Sequence, residues 1–308
     1  MTTAAMTGAP SLIGTPIAKR TVLANLPSTA QARRYGWSTA TRRQVRSFAA
    51  SLEWRRVRAA GVTQAIACTG TGSPTVVYVN GWQAPAIRTW SLAARSTARI
   101  TRVCLFDRPG SGLSPKRPKD ARRSTPQQQA DEMLALLATV GETGPFVLVP
   151  WSYGGLVARA AGAQRSDQVA GMVLVDAMSP LRSRLETPWH GEHGIVDTST
   201  MATTVGAGPD LGSHPLIVLT EETFAGWSAG GRAESLALQE QAATLSSNSV
   251  HGVVLGANHH IPMRNAQAVV AATAAVVLSV RIGDAALGAC PPALAASGTS
   301  CQEHRASG

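Results

Sequence analysis

The chain has 308 residues, 44% of them apolar and 15% charged. That is enough for one large domain with appendages, and it excludes a disordered chain, a collagen or a disulfide-dense mini-protein. The net charge is +10, yet residues 1–60 hold ten Lys/Arg against one acid, Glu53, while residues 61–308 hold eighteen against seventeen. The body is close to neutral and the basicity sits in an N-terminal extension, so the charge offers no case for a nucleic-acid partner.

Residues 1–40 are rich in Thr, Ala, Ser and Pro and lack any acid, a composition that predicts a disordered arm. Residues 41–60 predict a helix with Val45, Phe48, Leu52 and Val57 on one face and arginines on the other. Its apolar stripe either docks on the body or meets an anionic membrane surface. From Val62 the pattern becomes strand and helix in alternation. Strands are predicted at 62–68, 75–79, 102–106, 146–149, 169–175, 216–219 and 250–255. Helices are predicted at 87–98, 125–140, 154–164 and 266–280, with Ser124 or Thr125 as N-cap and Pro126 in the first turn of the second. The 266–280 run is too short for a membrane span and is closed by Arg281.

Short apolar strands between helices predict an α/β fold: a mostly parallel central sheet with helices on both faces. The body spans 61–283. Residues 178–215 interrupt it between two strands and predict a short lid insertion. Residues 284–308 form a Pro/Ala/Ser-rich C-terminal tail. Cys68 and Cys104 lie in apolar strand-like runs and read as small buried hydrophobes. Cys290 and Cys301 in the tail either pair in an oxidising compartment or stay reduced.

Ser152 stands in Val149-Pro150-Trp151-Ser152-Tyr153-Gly154-Gly155, between a strand and a helix. A serine on such a turn projects its Oγ above the sheet, with a helix N-terminus beside it to stabilise an anion. The plainer reading is a serine helix cap. Three further segments bear on the choice: Val76-Val77-Tyr78-Val79-Asn80-Gly81-Trp82; Asp107-Arg108-Pro109-Gly110-Ser111-Gly112-Leu113-Ser114; and Gly256-Ala257-Asn258-His259-His260-Ile261-Pro262. In this order and spacing the four segments resemble the α/β-hydrolase fold family over about residues 62–283.

The resemblance implies a serine hydrolase of carboxylic esters, lactones or thioesters, working through an acyl-enzyme and without cofactor or metal. It implies Ser152 as nucleophile, His259 as base (with His260 the adjacent alternative) and an orienting acid after one of two strands. Asp176 fits the first position, and Glu221 or Glu222 the second. The backbone N–H groups of Tyr153 and Trp82 would form the oxyanion hole. Asp107 and Arg108 are read as structural. The sequence departs from the family pattern at Pro150, Trp151 and Asn80. The pocket is expected to include Asn80, Gly81, Trp151 and Trp189, with His190 and His193 as further lining candidates, and to take a small, apolar acyl substrate. Two alternatives remain at this level: a non-hydrolytic enzyme on the same scaffold (lyase, perhydrolase, acyl transferase or cyclase), and an inactive ligand-binding member. The expected location is cytoplasmic, with membrane-peripheral and secreted as alternatives.

Overall fold

The computed structural model describes residues 13–118, 123–182, 189–192, 194–206, 208–224 and 226–302. In chain order it begins with β1 (Thr15–Pro16), α1 (Lys19–Ala24), α2 (Thr29–Arg34), α3 (Thr39–Ser51), β2 (Arg55–Ala59) and β3 (Val62–Thr69). There follow β4 (Thr75–Val79), α4 (Ala86–Thr97), β5 (Val103–Asp107), β6 (Arg123–Ser124), α5 (Pro126–Thr139), β7 (Phe146–Pro150), α6 (Gly154–Gln164) and β8 (Val169–Val175). The insertion carries β9 (Trp189–Gly191), β10 (Gly194–Val196) and α7 (Met201–Val205). The chain then runs through β11 (Leu216–Glu221), α8 (Ala229–Ala243), β12 (Ser249–Val254), α9 (Ile261–Arg264), α10 (Ala266–Arg281), α11 (Pro292–Ala296) and β13 (Thr299–Gln302).

Ten strands form one sheet in the order β1-β2-β3-β5-β4-β7-β8-β11-β12-β13. The six from β5 to β12 run parallel; β1, β2, β3 and β13 are added antiparallel at the two sides. Period-two alternation divides the core. Val76 and Tyr78 of β4, Leu105 of β5 and Val173 and Val175 of β8 face α4 and α10. Val77, Val79, Cys104, Phe106, Met172 and Leu174 belong to the cluster built with α5 and α6 on the other face. Helices on both faces are what a parallel sheet of continuous apolar strands requires. The sequence moves from β4 outward to β5 and then returns across β4 to β7. The strand order therefore reverses between β4 and β7, where a crevice opens at the carboxyl ends of the strands.

Three expectations are corrected. Residues 13–40 are not a disordered arm, although residues 1–12 lie outside the described part. Ser28 caps α2 with a reciprocal Gln31 capping box, and Ser38 caps α3. Val22, Ala32 and Trp37 are buried, and the Trp37 Nε1–H donates to the Met263 carbonyl at 2.5 Å. These few anchors, with Val45, dock the helices on α4 and α9. Second, the helix predicted over 41–60 ends at Ser51. Leu52 turns extended, and residues 55–59 pair antiparallel with β3, so Val57 belongs to a strand face and not to the helical stripe. Third, the tail is built into the fold: β13 extends the sheet beyond β12, and a Cys290–Cys301 disulfide ties it to the segment before α11.

Cys68 and Cys104 are directly opposed across the antiparallel β3–β5 pair and form a second disulfide, which leaves no free cysteine. Among the described residues no helix is long and apolar enough to cross a membrane. Truncation of Trp37 should test the docking of the N-terminal helices. Trp37→Ala removes a buried indole and its hydrogen bond and is expected to cost about 3–5 kcal/mol, read as a lower urea midpoint. An unchanged midpoint would mean that these helices are not packed on the body.

Candidate active site

β7 runs into α6 through Trp151, Ser152 and Tyr153, and Ser152 has φ +55°. A non-glycine residue in the left-handed region is held there by its surroundings. Ser152 N–H donates to the Val175 carbonyl at 3.3 Å, and its own carbonyl accepts from Met178 N–H at 2.8 Å. Pro150 does not prevent the turn. The β7–β8 ladder ends at Leu148–Met172 and resumes only as an isolated bridge between Trp151 and Val175, so the proline, which has no N–H, lies in a gap of the ladder.

Small residues let the strand ends close on each other. A Cβ on Gly154 would stand 2.5 Å from the Val79 carbonyl oxygen and 2.7 Å from that of Asn80. One on Gly81 would lie 2.7 Å from the Trp151 ring and 3.3 Å from Ser152 Cβ. The β4 loop thereby lies against the serine. Among the described residues, neither Tyr153 N–H nor Trp82 N–H has an acceptor.

His259 follows β12, on the loop expected. Its Nε2 is 2.9 Å from Ser152 Oγ, and its Nδ1 is 2.5 Å from Asp176 Oδ2. Asp176 ends β8 with φ +41° and is buried, while His259 keeps 37% of its side chain exposed. Burial opposes the imidazolium, but the hydrogen bond that Nδ1–H donates to Asp176 and the charges of Asp176 and Glu221 outweigh it and hold the His259 pKa above the ordinary value. His260 turns away from Ser152, its ring 5.7 Å from Tyr35 and 6.1 Å from Trp151. Burial pushes its pKa down.

The two alternative acids have different fates. Glu222 is exposed and accepts from Gly256 N–H at 2.7 Å, away from the histidine ring. Glu221 is 1% exposed, and its N–H lies 3.4 Å from Asp176 Oδ1. One oxygen of each carboxyl and one His259 nitrogen lie within 4.8 Å of one another. Burial, and then the Asp176 charge, push the Glu221 pKa up to about 7. Asp176 alone occupies the position on His259 Nδ1.

The cleft at Ser152 holds about 30 Å³, room for about two waters. Met178, Arg182, Trp227, Leu238 and Gln239 are among its lining residues. Sequence reasoning did not find the α8 contributions, because nothing local marks the face of a helix that a distant strand end will meet. Three of the expected pocket residues do other work. Asn80 is buried, donates to the Phe106 carbonyl and Asp107 Oδ1, and accepts from Trp90 Nε1–H. Trp151 packs under the histidine loop and donates to the His259 carbonyl at 2.7 Å. Trp189 stacks edge-on against Trp82 at 5.5 Å and lies 5.8 Å from the Tyr153 ring. His190 is exposed, and His193 lies outside the described residues. Asp107 is structural, as expected. It accepts from the N–H groups of Ala86 and Leu113, and burial raises its pKa to about 6.

Residues 76–212 match the model of the alpha/beta hydrolase family. A pimeloyl-[acyl-carrier protein] methyl ester esterase of Chromobacterium violaceum is 35% identical over 121 residues, 39% of this chain and 42% of that one. An uncharacterized vacuolar membrane protein of Saccharomyces cerevisiae is 36% identical over 89 residues, 29% of this chain and 14% of that one. The chain thus spans less than half the length of either curated relative. Among solved structures, a thermophilic esterase from Thermogutta terrifontis superposes with a TM-score of 0.56 at 21% identity, over 73% of this chain and 99% of that one. A candidate epoxide hydrolase of Pseudomonas aeruginosa gives 0.58 at 15% identity, over 76% and 98%. At these identities the structural likeness is one of fold. With the sheet order, the turn at Ser152 and the family match over residues 76–212 in agreement, the chain has the α/β-hydrolase fold.

Proposed function

We propose that this chain is a serine hydrolase of small carboxylic esters. The observation that carries the reading is the hydrogen-bonded series Asp176–His259–Ser152, with Ser152 raised on the strand-to-helix turn. His259 takes the Ser152 proton as Oγ attacks the ester carbonyl. Asp176 keeps the Nδ1 proton in place and stabilises the imidazolium that forms. The Tyr153 and Trp82 N–H groups receive the oxyanion. His259 then protonates the leaving alcohol, and water, activated by the same base, releases the acid from Ser152. No step calls on a cofactor. A serine at the turn speaks against the aspartate-nucleophile chemistry of the family's epoxide hydrolases and dehalogenases. The narrow cleft favours a short acyl group, and the esterase among the curated relatives supports ester over amide. The pairing of all four cysteines favours an oxidising compartment over the cytoplasm.

Intact-mass labelling with a fluorophosphonate probe tests the nucleophile. One adduct is expected on the wild type and none on Ser152→Ala. Turnover of p-nitrophenyl acetate should fall about 10⁴-fold or more in His259→Ala and about 10⁴-fold in Asp176→Asn. Glu221→Gln should lose no more than about tenfold, because Glu221 does not occupy Nδ1. An unlabelled, folded wild type would sink the mechanism, and a larger loss in Glu221→Gln than in Asp176→Asn would reassign the acid.

The pH response has a definite sign. The folded pKa of His259 is raised, so the stabilisation of its charged form is fully present below the ordinary histidine value. It is lost as pH rises through the folded pKa. The base works neutral, so the acidic limb of activity should lie above the ordinary histidine pKa. Asp176→Asn removes both contributions of that carboxylate while burial remains. The His259 Hε1 resonance should then titrate at lower pH than in the wild type. An unmoved titration would mean that Asp176 does not set the charge of the histidine.

A further inference from the structure

The insertion reaches the loop that follows β4. Glu192, between β9 and β10, is 6% exposed and points its carboxylate at Arg108, which is 1% exposed. Arg108 Nη2 is 2.6 Å from Glu192 Oε1, and Nε is 3.2 Å from Oε2. The same guanidinium donates to the Asn80 carbonyl at 2.7 Å and to the Gly81 carbonyl at 2.8 Å. Glu192 Oε1 also accepts from Gln83 N–H at 3.0 Å. The two peptide groups that flank Trp82 are thus held separately, one by each member of a buried ion pair.

The Gly81 carbonyl belongs to the peptide group that carries the Trp82 N–H. In a trans peptide the C=O and N–H point in opposite directions. A carbonyl fixed on Arg108 therefore aims the Trp82 N–H to the opposite side. Two close approaches lock the insertion onto this arrangement. A Cβ on Gly110 would stand 1.9 Å from the Glu192 carbonyl oxygen. One on Gly191 would stand 2.1 Å from Gln83 Nε2 and 2.7 Å from the Trp82 ring. Trp189 meanwhile packs on Trp82 and Tyr153, the two residues whose amides are the proposed oxyanion donors, and Arg108 lies over the Tyr153 ring at 4.9 Å.

We propose that Glu192, carried by the insertion, is a positioning residue that acts through Arg108 to set the Gly81–Trp82 peptide as an oxyanion donor. The inference rests on the serine-hydrolase reading. It makes the insertion a part of the catalytic geometry: with Glu192 withdrawn, Arg108 is a buried cation without its counter-charge, and the Gln83 N–H loses its acceptor.

An oxyanion donor acts on the transition state, so its loosening lowers kcat and leaves KM nearly unchanged. Loss of one donor costs about 10²–10³-fold. Glu192→Gln keeps an acceptor and removes the charge, and a fall in kcat of about tenfold to a hundredfold is expected, with KM within about twofold. Arg108→Lys keeps the cation but not the fork that reaches both carbonyls, and should show the same split. It stands as the deciding variant if Glu192→Gln does not fold, as judged by the thermal midpoint. The substrate is p-nitrophenyl acetate. Phenylboronic acid is the second readout, since its tetrahedral adduct on Ser152 places an oxygen at the two amides; its affinity should fall in parallel with kcat.

Folded variants with wild-type kcat, or with a loss confined to KM, would overturn the proposal. So would a fall in kcat with unchanged phenylboronic acid affinity. A wild type that neither reacts with the fluorophosphonate nor hydrolyses the ester would instead bring down the serine reading, and this inference with it.

Discussion

The architecture of the site depends on one steric condition, the closeness of the β4 and β7 ends. β4 and β7 are parallel neighbours that continue into helices on opposite faces of the sheet, and the loop after β4 lies in contact with the turn after β7. Side chains would prevent this at Gly81 and Gly154, where an added Cβ would collide with the Trp151 ring and with the Val79 and Asn80 carbonyls. Their absence brings the β4 loop onto the turn that bears Ser152. Among the described residues the amides of Trp82 and Tyr153 have no acceptor. An N–H left without one is costly; on the serine-hydrolase reading a developing negative charge would satisfy both.

The same closeness has an electrostatic price in the Asp107-Arg108 loop. Both side chains are buried, and burial alone would neutralise the carboxyl and oppose the guanidinium. Asp107 is offset by two backbone N–H donors and the Asn80 amide. Arg108 is offset by Glu192 and two carbonyls. A pair of this kind adds little net stability over an apolar replacement, but removing one partner strands the other. Its gain is geometric, since a planar guanidinium fixes several acceptors at once. Asn80 belongs to this lattice. It bridges the Trp90 indole and Asp107 and so ties β4 to β5 and α4.

What could be read in the sequence was what is local. β-branched runs, the Thr125 cap with Pro126, and a serine between an apolar strand and a glycine pair each carry their signal within a few residues. Asp176 and His259 were legible as the ends of strands, and the fold brings such ends to one edge. The N-terminal helices were not legible. Their composition is polar, basic and without acids, and only a few anchors such as Val22, Ala32 and Trp37 hold them. Docking there is a tertiary effect that overrides a disorder-like composition. The polar tail strand Thr299–Gln302 and the Cys68–Cys104 bond were hidden for the same reason: each exists only because a distant strand lies alongside. Glu192 was visible, but nothing in its own segment marks a partner for it. Its partner is 84 residues away.

The choice between two acids shows how register resolves what spacing left open. β8 and β11 are adjacent and parallel, with Val175 opposite Leu219. Asp176 and Glu221 therefore leave the sheet side by side, and both carboxyls reach the histidine loop. Two buried carboxylates this close cannot both ionise cheaply. Asp176 has the shorter side chain and the hydrogen bond to Nδ1, so it is the carboxyl placed to stabilise the imidazolium. Glu221 carries no such bond, and burial, with the Asp176 charge beside it, pushes its pKa up to about 7. The histidine thus has one carboxylate fixed on its ring and a second, less readily ionised, behind it. That balance suits a base that must gain a proton from serine and give it up again to the leaving group.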